Sequence, residues 1–140
     1  MTNEAHLEVE TEFAIPFACA DGAGIEKGAV LMMSDLMTVA TATGDGDVFG
    51  GIAAEEKIAG NGVTSIAVYR GGIFKVLGEG SISVGDQLMT GAATGSANAL
   101  IKGTNAALGG IGAAIALETA TDGETLMVEL RPGCAPNVLA

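Results

Sequence analysis

The sequence has no tryptophan, and aromatic residues make up only 4% of its 140 residues. Its hydrophobic fraction of 49% therefore comes mainly from Ala, Val, Ile, Leu and six Met, which predicts a core of small side chains. A chain of this length forms one domain with a modest core. Sugar-binding sites usually stack rings on exposed aromatic side chains, so this composition argues against a carbohydrate-binding protein.

Basic residues are also scarce. Six Lys and Arg stand against 17 Asp and Glu, which gives a formal net charge of −11. Nucleic-acid binding needs a basic surface that displaces counterions from phosphates, and binding to an anionic membrane needs one as well. We therefore predict no nucleic-acid and no membrane partner. The charge-free stretch 103–117 is too short and too rich in Gly and Ala to span a bilayer, and the acidic N terminus does not resemble a signal peptide.

Residues for catalysis or metal binding are few. His6 is the single histidine, so any Ser-His-Asp or Cys-His arrangement would have to use it. A zinc site would need His6, two distant cysteines and carboxylates together. We expect a non-enzymatic protein with no catalytic residues, no metal and no cofactor. Cys19 and Cys134 can pair only if the termini meet, and the alternative is a buried or unreactive thiol.

One segment resembles a calcium-binding loop, with Asp45 and Asp47 at positions 1 and 3 and Glu56 at position 12. Position 5 is Phe49, which cannot ligate, and the flanking residues favour strands where an EF-hand needs helices. The glycines at 44, 46 and 50 precede no helix, so a phosphate-binding loop is not indicated either. We interpret this segment as a solvated turn.

Glycine, in contrast, is abundant, with 22 residues against three prolines. Short apolar runs follow one another and are separated by turn signals such as Asp-Gly and Gly-Asn-Gly. This pattern predicts an all-β sandwich or barrel-like module. Short helices or turns are expected at 54–59 and 105–107, and a loosely ordered tail at 134–140. The predicted strand runs are 29–33, 36–43, 48–54, 63–69, 73–77, 87–90, 99–102, 111–117 and 125–130.

Residues 7–17 alternate between apolar and mostly acidic side chains. A period of two predicts an extended strand with one apolar face and one wet face. Pro16 lacks a backbone donor, which favours an edge strand or a free arm over a central strand. Residues 1–21 are thus expected to form either an N-terminal arm or an edge strand of the protein's own sheet. The apolar face consists of Leu7, Val9, Phe13, Ile15 and Phe17.

Similar phrases occur twice in the chain. I-x-x-G-x-x-L-M stands at 25–32 and 82–89, and FGGIA at 49–53 is followed by LGGIG at 108–112. The common order predicts an internal duplication, with halves at 22–72 and 80–133 within one β domain at 22–133. The alternative is two unrelated halves that share turn vocabulary. Paired glycines indicate close backbone approach or a bulge, and the predicted structural glycines are Gly28, Gly50, Gly51, Gly85, Gly109 and Gly110.

The phrases I-x-x-G-x-x-L and G-G-I, the N-terminal extended segment, the final strand at 125–130 and Arg131-Pro132-Gly133 together resemble a known family. They are similar to the small capsid cement, or head-decoration, proteins of tailed bacteriophages. The resemblance covers about residues 12–133. It implies a compact β-tulip-like or β-barrel fold, made of two halves here, with an extended N-terminal arm.

The same resemblance implies a non-enzymatic role on the exterior of the virion, after synthesis in the host cytoplasm. Its partner would be the major capsid protein, whose lattice it stabilises. It would cluster as a homotrimer on the capsid and associate weakly in solution. The N-terminal segment would pair with a capsid-protein strand by β-augmentation. Two other classes remain open, namely a carbohydrate- or ligand-binding module of a phage fibre or adhesin and a small β-barrel enzyme.

Overall fold

The computed structural model describes residues 4–43, 48–91, 99–102 and 112–132. All regular structure in these residues is β-strand, and every predicted apolar run contains one, so the predicted all-β fold is confirmed. The segment 54–59 forms bends and a bridge rather than a helix, and 105–107 and 134–140 lie outside the described residues. The strands are β1 (His6–Val9), β2 (Ile15–Ala18), β3 (Val30–Asp35), β4 (Thr38–Thr41), β5 (Phe49–Ala53), β6 (Ser65–Tyr69), β7 (Ile73–Glu79), β8 (Gln87–Thr90), β9 (Ala99–Lys102), β10 (Ala114–Ala116) and β11 (Thr125–Leu130).

Ten of these strands form two closed rings of five. The first ring has the order β2-β4-β3-β5-β6 and closes through pairing of β6 with β2. The second has the order β7-β11-β10-β8-β9 and closes through parallel pairing of β9 with β7. Strand β1 adds to the second ring by antiparallel pairing with β7. The predicted β-barrel module of two related halves is confirmed.

The two rings have the same connectivity. Each contains one parallel pair, β2–β4 in the first and β7–β9 in the second, and its other pairs are antiparallel. Ala53 pairs with Val68 in the first ring as Ala116 pairs with Val128 in the second. Isolated bridges also correspond, because Ile25 opposes Lys57 as Ile82 opposes Ala120. Every strand of one ring therefore has a structural counterpart in the other.

The pairing register corrects the sequence alignment of the two halves. Gly51 pairs with Leu31, and in the second ring Ala114 pairs with Leu88. The counterpart of FGGIA at 49–53 is therefore GAAIA at 112–116, not LGGIG at 108–112. Short phrases in a Gly- and Ala-rich chain match by composition, whereas strand pairing sets the true correspondence. Gly109 and Gly110 lie outside the described residues.

Gly28 and Gly85 are the counterparts that the I-x-x-G-x-x-L phrase predicts. Their φ angles are +87° and +89°, in the left-handed region that favours glycine. The Gly28 amide donates to the Ala53 carbonyl, and the Gly85 amide donates to the Ala116 carbonyl. A β-carbon on Gly28 would lie 2.6 Å from the Ala5 carbonyl oxygen. Both glycines shape the turn that leads into a corresponding strand, β3 after Gly28 and β8 after Gly85.

The predicted continuous strand at 7–17 is two strands, β1 and β2, in different rings. Strand β2 lies between β4 and β6, and Phe17 is buried in the core of the first ring. A single extended arm is therefore wrong for this part of the chain, and the alternative of a strand in the protein's own sheet holds. The physical reason is ring closure, because the first ring needs β2 to join β4 to β6.

Two apolar clusters stabilise the rings. The first fills the inside of the first ring and includes Phe17, Leu31 and Ile66. The second contains the second-ring core together with Phe49 from the first ring. Packing between the rings also includes an edge-to-face contact of Tyr69 with Phe74, whose ring centroids lie 5.6 Å apart. The second cluster thus extends across both rings.

Candidate interaction surface

The described residues contain no group of three or more His, Cys, Asp or Glu side chains arranged to hold a metal ion. Nor do they contain a helix of the length and apolarity needed to cross a bilayer. Asp45 and Asp47 of the calcium-like segment lie outside the described residues. Exposed side chains and strand edges are the candidate functional features of the described residues.

Cys19 is a free thiol that is buried in the first ring. Burial raises the pKa of this thiol, and the negative charges of Asp21 and Glu55 act in the same direction against the opposing charge of Lys57. A raised pKa lowers the thiolate fraction, which is the nucleophilic form. Cys19 is thus a core residue in this fold. Pairing with Cys134, which the sequence left open beside a buried or unreactive thiol, is untested, because Cys134 lies outside the described residues.

Lys57 is the other unusual buried group, with only 4% of its surface exposed. Its Nζ donates to the backbone carbonyls of Asp21 and Ala23, each at 2.8 Å. The counterpart of Lys57 in the second ring is Ala120. Lys57 therefore closes a turn of the first ring by donating to two backbone carbonyls, a role for which Ala120 has no side-chain donor.

Strand β1 is an edge strand. Its four residues are all exposed, and β7 is its single strand partner among the described residues. The register shifts between Leu7 and Val9, which marks a bulge of the kind that is common at sheet edges. An edge strand presents a row of backbone donors and acceptors that can pair with another chain.

The segment between β1 and β2 carries an exposed aromatic ring. Phe13 is 85% exposed, and Ile15, Leu7 and Val9 are also exposed. Of the five predicted apolar side chains, Phe17 alone enters the core. The other four, Leu7, Val9, Phe13 and Ile15, are named here the N-terminal surface.

Glu10 connects this segment to the first ring. The Tyr69 hydroxyl donates to a Glu10 carboxylate oxygen at 3.3 Å. Burial raises the pKa of Tyr69, and the charge and hydrogen bond of Glu10 raise it further. Tyr69 is therefore protonated at neutral pH and can donate to Glu10.

Sequence reasoning missed a second exposed feature, the tip of the β3–β4 hairpin at Leu36 and Met37. Leu36 is 85% exposed. Met37 has a φ of +48°, in the left-handed region that non-glycine residues rarely adopt. Its carbonyl accepts a 2.7 Å hydrogen bond from the Ala18 amide, which fixes the tip against β2. The run at 36–43 was predicted as one strand, and its first two residues instead form the turn.

Comparisons with known proteins support the fold. No protein-family model and no curated protein matches the chain. Among solved structures, the chain is similar to the N base of the head fibre protein gp8.5 of bacteriophage phi29, with a TM-score of 0.54 and 15% sequence identity. The similarity covers 84% of this chain and 92% of that one. At this identity the likeness establishes a shared fold.

Proposed function

We propose that this protein is a non-enzymatic structural component of a tailed-phage head that binds the outside of the shell and stabilises the lattice of the major capsid protein. The fold is shared with a head fibre base, and the motif phrases resemble those of head-decoration proteins. The observation that carries the proposal is the N-terminal surface, which combines the exposed apolar side chains of edge strand β1, Leu7 and Val9, with the exposed Phe13 and Ile15.

The binding mode follows from the chemistry of that surface. A capsid-protein strand beside β1 gains ladder hydrogen bonds and covers Leu7 or Val9 according to register. Burial of one large apolar side chain contributes about 1.5–3 kcal/mol. The acidic side chains Glu8 and Glu10 on this segment favour basic capsid residues, so part of the affinity falls as salt rises.

Assembly on the shell follows from charge. Three copies carry −33, three times the −11 of one chain, so repulsion opposes a trimer in free solution. A preformed lattice supplies many sites and offsets this repulsion through avidity. We therefore propose weak self-association in solution and threefold clustering on the capsid exterior of the virion.

A second candidate is the base module of a head fibre, which the near-complete coverage of the phi29 fibre base favours. The two candidates differ in what the bound module carries, since a fibre base supports a fibre that projects from the shell whereas a cement protein does not. Cryo-electron microscopy of decorated heads from the phage that carries this chain distinguishes them. Density of the module alone at the lattice sites supports cement, density that continues into a projecting fibre supports the fibre base, and absence from the head overturns both.

A further inference from the structure

In the second ring, both edges of strand β7 are paired along the first half of the strand. Strand β11 pairs with residues 73–77 of β7 and occupies one edge of that strand. Strands β9 and β1 must therefore share the other edge, where β9 pairs with residues 77–79 and β1 with 73–75. The ring itself leaves a gap beside the first half of β7, and β1 fills it as an added strand.

The first ring has the same gap without an added strand. Strand β6 takes one edge of β2 over residues 15–18, and β4 reaches the other edge at Ala18 alone. On that second edge, residues 14–16 have no strand partner in the described chain. Ile15, which opposes Val68, is the counterpart of Phe74, which opposes Val128. Ile15 is 42% exposed and Phe74 is 1% exposed.

Backbone directions show which bonds the gap offers. The Cys19 amide donates toward β6, to Thr64, and the Ala18 amide donates toward the β4 side, to Met37. Because successive residues of a strand point to opposite edges, Ala14 and Pro16 face the gap. Ala14 offers a donor and an acceptor, whereas Pro16 offers its carbonyl only. An incoming strand can thus form a short ladder of backbone hydrogen bonds. The ladder lacks the bond that a backbone amide at position 16 would donate, because Pro16 has none.

The borders of the gap are apolar and acidic. Phe13 precedes β2, and the hairpin tip of Leu36 and Met37 is fixed beside Ala18. Strands β2, β3 and β4 contain no Lys or Arg, and Asp35, which directly precedes the hairpin tip, is exposed. The Glu12 carboxylate lies against Gly71, which follows β6 on the other edge of β2. This combination suits an extended segment with apolar side chains and positive charge.

We propose that this gap, named the β2 gap, binds an extended segment of another protein in which apolar residues alternate with Lys or Arg. The occupant is a partner protein rather than the β1 strand of a second copy, because that strand carries Glu8 and is flanked by Glu4 and Glu10. Like charges at the border oppose it. The inference goes beyond the capsid role, since it assigns a second strand edge, which shares Phe13 and Ile15 with the N-terminal surface, and names the chemistry of its ligand.

The test uses the isolated full chain, labelled with nitrogen-15, and a capped synthetic peptide with the sequence KVKVKVK. We expect amide shift changes confined to 13–18 and 35–38, and weaker binding at high salt. Pro16→Thr restores a backbone donor and is expected to tighten binding roughly two- to tenfold. Leu36→Asn is expected to weaken it, whereas Val84→Asn, at an exposed apolar site in the second ring, serves as the matched control.

The controls define what overturns the proposal. An acidic peptide, EVEVEVE, that binds equally well removes the charge argument, and absence of shifts in these two segments at millimolar peptide removes the site. Self-association of the Pro16→Thr protein through the same amides would assign the gap to a second copy instead. Because no capsid enters this experiment, its failure leaves the proposed head-binding role standing, and failure on the shell leaves the β2 gap standing.

Discussion

The carbonyl oxygen of Tyr69 lies 2.5 Å from the position that a β-carbon on Gly51 would occupy. The Val68 side chain is also in that space, and the φ of Gly51 is +134°, a conformation that is nearly restricted to glycine. Strands β5 and β6 therefore approach each other more closely than any other residue at position 51 allows. The second ring has Ala114 at the matching position, so this close approach is particular to the first ring.

We expect Gly51→Ala to lower the free energy of unfolding by about 3 kcal/mol, because backbone strain and steric overlap add. Urea denaturation followed by circular dichroism measures the change. Gly60→Ala is the matched control, since Gly60 has a φ of +74° but nothing within 4 Å of its added β-carbon. Equal costs for the two variants would show that steric overlap at Gly51 contributes nothing.

In each ring, a Glu carboxylate accepts a hydrogen bond from a backbone amide of a strand. The Ala67 amide donates to Glu55 at 3.0 Å, and the Met127 amide donates to Glu118 at 2.7 Å. We expect Glu55→Ala and Glu118→Ala each to cost about 0.5–1.5 kcal/mol, and the Gln variants less because they keep an acceptor. Glu56→Ala is the control for loss of one acid. A cost for that control as large as for Glu55→Ala would contradict the assignment.

Glu124 is expected to make stability depend on pH. Hydrogen bonds from the Thr121 amide and from its hydroxyl hold the pKa of Glu124 below its ordinary value. A carboxyl whose pKa is depressed in the folded state stabilises the protein above its unfolded pKa, and this stabilisation disappears as pH falls through the folded pKa. We expect Glu124→Gln to flatten the acid limb of stability below the ordinary Glu pKa of about 4.3. An unchanged limb in urea titrations from neutral to acidic pH would contradict this.

Deletion of residues 1–17 removes β1 and most of β2, including the buried side chain of Phe17. We expect this truncation to unfold the first ring, which circular dichroism and proteolysis would detect.

The double variant Val9→Ser, Phe13→Ser tests the N-terminal surface while leaving both rings intact. We expect it to change the free energy of unfolding by about 0.5 kcal/mol or less, because both side chains are exposed. The double variant is expected to lose binding to phage shells, and Val84→Ser is expected to keep it. Full shell occupancy by the double variant would remove the N-terminal surface from the proposal.

Self-association is expected to be weak in free solution because of the charge of −11 per chain. Sedimentation velocity at low micromolar concentration and low salt is expected to show a monomer, since weak screening leaves the repulsion at full strength. Added salt should permit more association without producing a stable trimer. A tight trimer at low salt would show that apolar contacts outweigh the charge.

Local features of the sequence were sufficient to locate the strands. Each apolar run from residue 29 onward contains a strand. The reason is that strand formation in short apolar segments between Gly and Asp turns is signalled by residues only a few positions away. The paired turn glycines, Gly28 and Gly85, were also visible, since positive φ angles select glycine wherever they occur. The expectation of no nucleic-acid or membrane partner, which rests on the scarcity of basic residues, stays a prediction.

Tertiary structure alone decided which strands pair and which side chains remain exposed. The alternation at 7–17 did not reveal that Phe17 enters a ring core while Phe13 stays exposed, because ring closure by β2 depends on β4 and β6, far along the chain. The match of 49–53 with 112–116 rested on the partners Leu31 and Leu88, which fix the register through hydrogen bonds. The β2 gap likewise exists because β4 reaches only Ala18. Each of these outcomes depends on contacts between residues distant in sequence, which local propensity does not encode.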